Sequence, residues 1–156
     1  MIKENDLTIV ASGSEWLIGS AKPISNAMID LIEHANKSIG MTIAYLYPGS
    51  LVTGGVWDSL EKAANNGVNI YFIVNDFDNQ IAKDKLKRIR DQNPRNVAIK
   101  NFVDNGALLH AKVIVTDREN VIISSSNHSE GGYSNNHELG IKLSGKTASE
   151  VSKMFY

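Results

Sequence analysis

The chain has 156 residues, no cysteine, 42% hydrophobic and 21% charged residues, and a formal net charge of −1. That length suits one core and is too short for two, so residues 1–156 are read as a single domain, with the abrupt "KMFY" end leaving a C-terminal continuation open. The composition excludes disordered and fibrous classes, and the missing cysteines exclude a disulfide framework, a thiolate nucleophile and a cysteine-based zinc site.

In chain order, "MIKENDLTIV" lacks the pattern of a secretion leader and no apolar run reaches the roughly 18 residues of a membrane span, so the cytoplasm is the expected compartment. Ile24, Ala27, Met28, Leu31, Ile32 and Ala35 recur at the spacing of one helical stripe, with Pro23 near its start and Lys37 near its end. "SIGMTIAYLY" reads as a buried strand ending at Pro48-Gly49. Trp57, Leu60, Ala63 and Ala64 predict a second helix, stopped by Asn65-Asn66-Gly67. A second buried strand, "VNIYFIV", leaves through the polar loop "NDFDNQ", where Asp76 and Asp78 are loop formers before they are metal ligands. Ala82, Leu86 and Ile89 mark a third helix. Strand "VAIKNFV", turn Asp104-Asn105-Gly106, strand "LLHAKVIVT", turn "DREN" and strand "VIIS" follow, with short polar breaks that favour antiparallel neighbours. A polar loop from Ser124 to Asn136, strand "ELGIKL" and a last helix complete the chain. Alternating helices and strands followed by hairpins predict an α/β sandwich around a mixed sheet.

Charge is unevenly spread: Lys83 to Lys100 holds seven basic and two acidic residues, +5 locally against −6 elsewhere. Such a band suits a phosphate backbone, and equally a solvated helix face. Lys83, Lys87, Arg88 and Arg90 are its candidate substrate-binding residues, with Tyr133 of the polar loop as a base-stacking candidate. Trp57 and the Tyr45, Tyr47 pair are expected in the core.

The chemistry gathers in "LLHAKVIVTDRENVIISSSN". A period of two puts His110, Lys112 and Ile114 on one strand face. A nitrogen base beside a permanent cation suits a bound anion: Lys112 can hold phosphoryl oxygens while His110 offers a nucleophilic or proton-carrying nitrogen. Ser125 and Asn127 would add neutral donors, and Asp117 sits at the turn as a loop cap or site anchor. The spacing of His128, Glu130, His137 and Glu138 fits no common zinc pattern.

These residues resemble the phospholipase D superfamily, whose motif is HxKx4D followed after six residues by GSxN. Here it reads His110, Lys112, Asp117, Ser125 and Asn127, and the family's downstream acid matches Glu138. Ser124 stands where the motif has glycine, and a serine restricts the backbone there. Weaker resemblance covers the first helix and strands. It implies a phospholipase D-like α/β/α sandwich and metal-independent phosphodiester chemistry in which one histidine attacks phosphorus and another protonates the leaving oxygen. One imidazole bonded to phosphorus cannot also donate that proton. The chain carries one motif, and His34, His128 and His137 have no lysine partner. A twofold homodimer with two facing His110 residues is therefore expected, as in the single-motif nuclease branch that the chain resembles. Glu138 would then bond a ring nitrogen of His110, and no cofactor or metal is expected. A DNA or RNA substrate is favoured by the basic helix. The alternatives are a phospholipase or phosphatidyl transferase, for which the sequence displays no apolar entry surface, and a catalytically weak nucleic-acid-binding module.

Overall fold

The computed structural model describes residues 7–45, 55–75, 80–103, 106–128 and 136–156. An eight-stranded mixed sheet carries helices on both faces, the expected α/β/α sandwich. Tyr47, Pro48-Gly49, Asp76, Asp78, the Asp104-Asn105 turn, Glu130 and Tyr133 lie outside the described residues.

Two strands precede the first predicted helix: β1 (Leu7–Ser12) and β2 (Lys22–Pro23). Then come α1 (Ile24–Glu33), β3 (Ser38–Ile43), α2 (Gly55–Asn65), β4 (Asn69–Asn75), α3 (Gln80–Gln92), β5 (Val97–Phe102), β6 (Lys112–Thr116), β7 (Asn120–Ser124), β8 (Glu138–Ser144) and α4 (Lys146–Ser152). The strand order is β2-β1-β8-β7-β6-β3-β4-β5. β3, β4 and β5 run parallel, as strands joined by crossover helices must, while β6, β7 and β8 form antiparallel ladders.

The apolar stripe of α1 packs with Trp57 and Leu60 of α2, Leu86 and Ile89 of α3, and Ile39, Met41, Ile70, Phe72 and Ile114 of the sheet. The indole of Trp57 stacks near the ring of Phe72, with centroids 6.4 Å apart. On the other face α4 covers Val113, Val115, Val121 and Leu143 through Ala148, with Phe155 packed against this cluster. Gly40 makes room there, since a Cβ on it would lie 2.6 Å from the Phe155 ring.

Two expectations about the third strand run are corrected. The hairpin between "VAIKNFV" and "LLHAKVIVT" does not form: β5 is an edge strand beside β4, and β6 pairs with β3 and β7. Burial explains the placement. β6 is buried on both faces and needs cover on both, whereas β5 exposes Ala98 and Lys100, a charge that suits an edge. The strand also begins later than the sequence suggests, at Lys112 instead of Leu108. Side chains replace the ladder upstream. Thr42 Oγ1 donates to the Ala111 carbonyl (2.7 Å) and accepts from Val113 N (2.9 Å). Asn75 brackets Leu109, its Oδ1 accepting from Leu109 N (3.0 Å) and its Nδ2 donating to Leu109 O (2.7 Å).

Candidate active site

That substitution of side chains for a strand partner puts His110 on a loop, exposed, where a strand would have fixed it to the sheet surface. Asn75 also donates to Ala44 O (2.9 Å), so one buried carboxamide ties the ends of β3 and β4 to the residue before His110. Neither Asn75 nor Thr42 stood out in the sequence; the available signal was a polar residue at the C-terminal end of an otherwise apolar strand.

Lys112 is 6% exposed, yet its Nζ reaches back to His110, 3.0 Å from Nδ1 and 3.1 Å from Nε2. At nearly equal distances from both ring nitrogens, the ammonium lies against the ring face, where the π-system attracts it. Burial lowers the Lys112 pKa, and the nearby Glu138 carboxylate offsets part of that. Tyr45, expected in the core, is half-buried and meets the His110 ring edge-on at 6.0 Å between centroids.

The other motif residues arrive along β7 and β8. Lys112 pairs with Ser124, so residues 125–127 leave β7 at the end where Lys112 enters β6. Ser125 Oγ donates to Glu138 Oε2 and accepts from Leu139 N (3.1 Å), and Asn136 Nδ2 donates to Glu138 Oε1 (3.4 Å). Within one chain, Glu138 thus holds Ser125 and Asn136 and makes no hydrogen bond to the His110 ring. Asn127 Oδ1 is buried without a partner among the described residues.

Ser124, the residue in place of the motif glycine, keeps an extended backbone in β7 and pairs with Gly140. A Cβ on Gly140 would lie 2.6 Å from the Ser124 Cβ and 2.7 Å from the Ile123 carbonyl. The glycine missing from one strand is present on its neighbour.

His128 is fully buried behind the site. Its Nε2 bonds the Thr42 carbonyl (2.9 Å). Its pKa falls to about 4, chiefly through burial and further through the Lys112 charge, against a rise from the Thr42 carbonyl. It is therefore a neutral structural donor. His137 pairs with Glu15 and touches the Trp16 ring, while His34 ends α1 at Asp30. No group of three His, Asp or Glu side chains that could hold a metal ion occurs among the described residues.

Asp117 is at the opposite end of β6, about 16 Å along the strand from Lys112. It adopts a left-handed backbone (φ 53°) followed by Arg118 (φ 62°), which closes the β6–β7 turn. Its carboxylate accepts from the amides of Asn36 (2.9 Å), Lys37 (2.7 Å) and Ser38 (2.9 Å). Burial pushes its pKa up, but those three donors and the Lys37 charge hold it below the usual carboxylate range. The structure thus brings His110, Lys112, Ser125, Asn127 and Glu138 to one end of the sheet and leaves Asp117 at the other.

The basic helix is also sorted. Lys83, Lys87 and Arg90 line a cleft of about 310 Å³ with Asn75, Leu86 and Asn101. Arg88 instead pairs with Glu61 of α2 (2.9 Å), and Lys85 lies over the Trp57 ring at 5.8 Å. At the far edge, Ile9, Trp16, Ile18 and Leu139 line an open apolar groove of about 330 Å³, with Ile18 72% and Leu139 52% exposed. This is an apolar surface that the sequence did not display, because its residues come from β1, β8 and the loop between β1 and β2.

Among the described residues no helix is long and apolar enough to cross a membrane. No curated protein matches the chain. Its fold is similar to the phospholipase D family member Nuc from Salmonella typhimurium (TM-score 0.73, 19% identity, 96% of this chain on 91% of that one). It is similar also to NucT from Helicobacter pylori (TM-score 0.61, 17% identity, 83% of each chain). A third likeness, to phosphatidylserine synthase from Haemophilus influenzae, has TM-score 0.69 at 12% identity and covers 95% of this chain but 36% of that one. The family model described as "Cardiolipin synthase, PLD-like domain" matches residues 28–156, and the chain belongs to that phospholipase D-like family.

Proposed function

We propose that the protein is a phosphodiesterase that hydrolyses DNA or RNA through a phosphohistidine, in an active site completed by a second copy of the chain. The observation that carries this reading is the contact between the exposed His110 ring and the buried Lys112 ammonium, 3.0 Å from a ring nitrogen. An imidazole held against a desolvated cation puts a nucleophilic nitrogen next to the charge that a phosphoryl oxygen needs.

In the first step a ring nitrogen of His110 attacks phosphorus, forming the P–N bond as the bond to the leaving oxygen breaks. His110 of the second copy gives that oxygen its proton. In the second step the same residue takes a proton from water, whose oxygen attacks phosphorus and releases the histidine. Lys112 neutralises the non-bridging oxygens and the Asn127 carboxamide donates to them, while Ser125 and Glu138 brace each other at the rim. This division of labour supplies charge and proton transfer from side chains, so EDTA should leave turnover intact.

His110→Ala tests the proposal on a labelled oligonucleotide in EDTA: cleavage should fall by roughly a thousandfold or more, and quenching the native protein in alkaline denaturant, where a P–N bond is stable, should trap the adduct. Metal-dependent cleavage indifferent to the substitution would overturn it.

The groove at Ile9, Trp16, Ile18 and Leu139 favours a second reading, a phosphatidyl transferase with acyl chains seated beside Glu138. Turnover of phosphatidylglycerol vesicles, with none of nucleic acid, would replace the first reading by this one.

A further inference from the structure

The cations of α3 are arranged in two groups. Lys83, Lys87 and Arg90 recur at i, i+4 and i+7 and share the cleft, whereas Lys85 and Arg88 are turned onto α2 through Trp57 and Glu61. The cleft's remaining polar walls are Asn75 and Asn101, at the C-terminal ends of the parallel strands β4 and β5. That is the end at which open α/β sheets hold ligands. Asn75 belongs to both places: it lines the cleft and brackets Leu109, one residue before His110. Gln80 holds Asp84 (2.6 Å), and Asp91 pairs with Arg90 itself (2.7 Å), so a phosphate meets that guanidinium only in competition with a carboxylate.

From this arrangement, and resting on the phosphodiesterase reading, we infer that the cleft is a second phosphate subsite. It holds a phosphate of a nucleic-acid strand next to the one cleaved at His110, through Lys83, Lys87 and Arg90. Substrate is then a polyanionic strand spanning both positions, and a single phosphodiester fills only one of them. A membrane surface is disfavoured by placement. An interfacial site needs cations and large apolar side chains on one face, and here the apolar groove lies on β1 and β8 while the cationic cleft lies beside β5, at the other edge of the sheet.

The test uses the full chain with His110→Ala to stop turnover, and reads binding of a labelled oligonucleotide of about 20 nucleotides by anisotropy across a salt series. Lys83→Gln/Lys87→Gln should weaken binding by about tenfold at low salt and reduce the slope of log affinity against log salt by about two. Lys62→Gln/Arg95→Gln removes the same charge elsewhere and should leave both nearly unchanged. Equal losses in the two pairs would overturn the subsite in favour of a diffuse field, as would retained oligonucleotide binding with lost binding to phosphatidylglycerol vesicles. The two readings fail separately. If the native protein cleaves no nucleic acid yet Lys83→Gln/Lys87→Gln loses the strand, the chemistry fails and the subsite stands; an unaltered KM for a long strand when the same two substitutions are made with His110 restored, with native cleavage intact, sinks the subsite alone.

Discussion

The two ends of β6 carry residues of the same motif and have opposite chemistry. At one end Asp117 has every need met: three backbone amides fill its carboxylate, and its charge is easier to carry folded than unfolded. At the other, Lys112 is desolvated, its pKa lowered, and its ammonium rests against a ring that is itself exposed. A saturated acid stabilises a turn; a buried cation with an open partner stores the electrostatic potential that an anion can use. Lys112 and Asp117, at the two ends of β6, thus divide between a buried charge whose neighbour is open to solvent and an acid saturated by a turn.

Substitutions at the two ends should therefore cross. Lys112→Met keeps the apolar stem and removes the buried charge, so turnover should drop by roughly a thousandfold while resistance to urea stays level or improves. Asp117→Ala removes the acceptor of three amides, two of them open to water, and should cost about 2 kcal/mol of stability, read from the same urea titrations. Should Lys112→Met unfold the protein as readily as Asp117→Ala, the contrast is lost and Lys112 is a structural residue.

Acid separates the ends again, through His128. Its folded pKa of about 4 lies below the unfolded 6.5, so the unfolded chain binds more protons between those values. Stability from this group is complete above pH 6.5 and drains as pH falls toward 4, by about 3 kcal/mol. Asp117 is also depressed, but its contribution persists until pH falls below the ordinary carboxylate value, so the two losses occur in successive windows. His128→Gln keeps a donor for the Thr42 carbonyl without a titrating ring, and should flatten the stability profile between pH 6.5 and 4. An unchanged slope would assign that window to other groups.

How far the sequence could be read follows the same division. Helices α1, α2 and α3 and strands β3 and β4 were legible because apolar spacing reports burial directly. The motif placed His110, Lys112, Ser125, Asn127 and Glu138 in one neighbourhood because β6, β7 and β8 are neighbours in the sheet as well as in the chain. What spacing could not report was pairing between distant segments. The edge position of β5 depends on which strand is covered on both faces, and the late start of β6 depends on Thr42 and Asn75, sixty-nine and thirty-four residues from the groups they hold. The basic band was visible as charge, but Glu61 and Trp57 decide which cations turn from the cleft, and neither is in the band.

The finest contrast is between Ser124 and Gly140, which face each other across β7 and β8 just outside the site. Gly140→Ala puts a methyl 2.6 Å from the Ser124 Cβ and 2.7 Å from the Ile123 carbonyl, so one of the two strands must shift. A cost of about 2 kcal/mol is expected from thermal melts. In a Ser124→Gly background the side-chain clash is gone while the backbone contacts, to the Ile123 carbonyl and to the Cα of residue 124 (3.0 Å), remain, so the same substitution should cost about 1 kcal/mol less. That coupling would mean that the glycine of the motif serves to let β7 and β8 approach, a need that either strand can meet. Equal costs in both backgrounds would put the requirement on the β7 backbone alone, leaving the serine in the motif without a compensating partner.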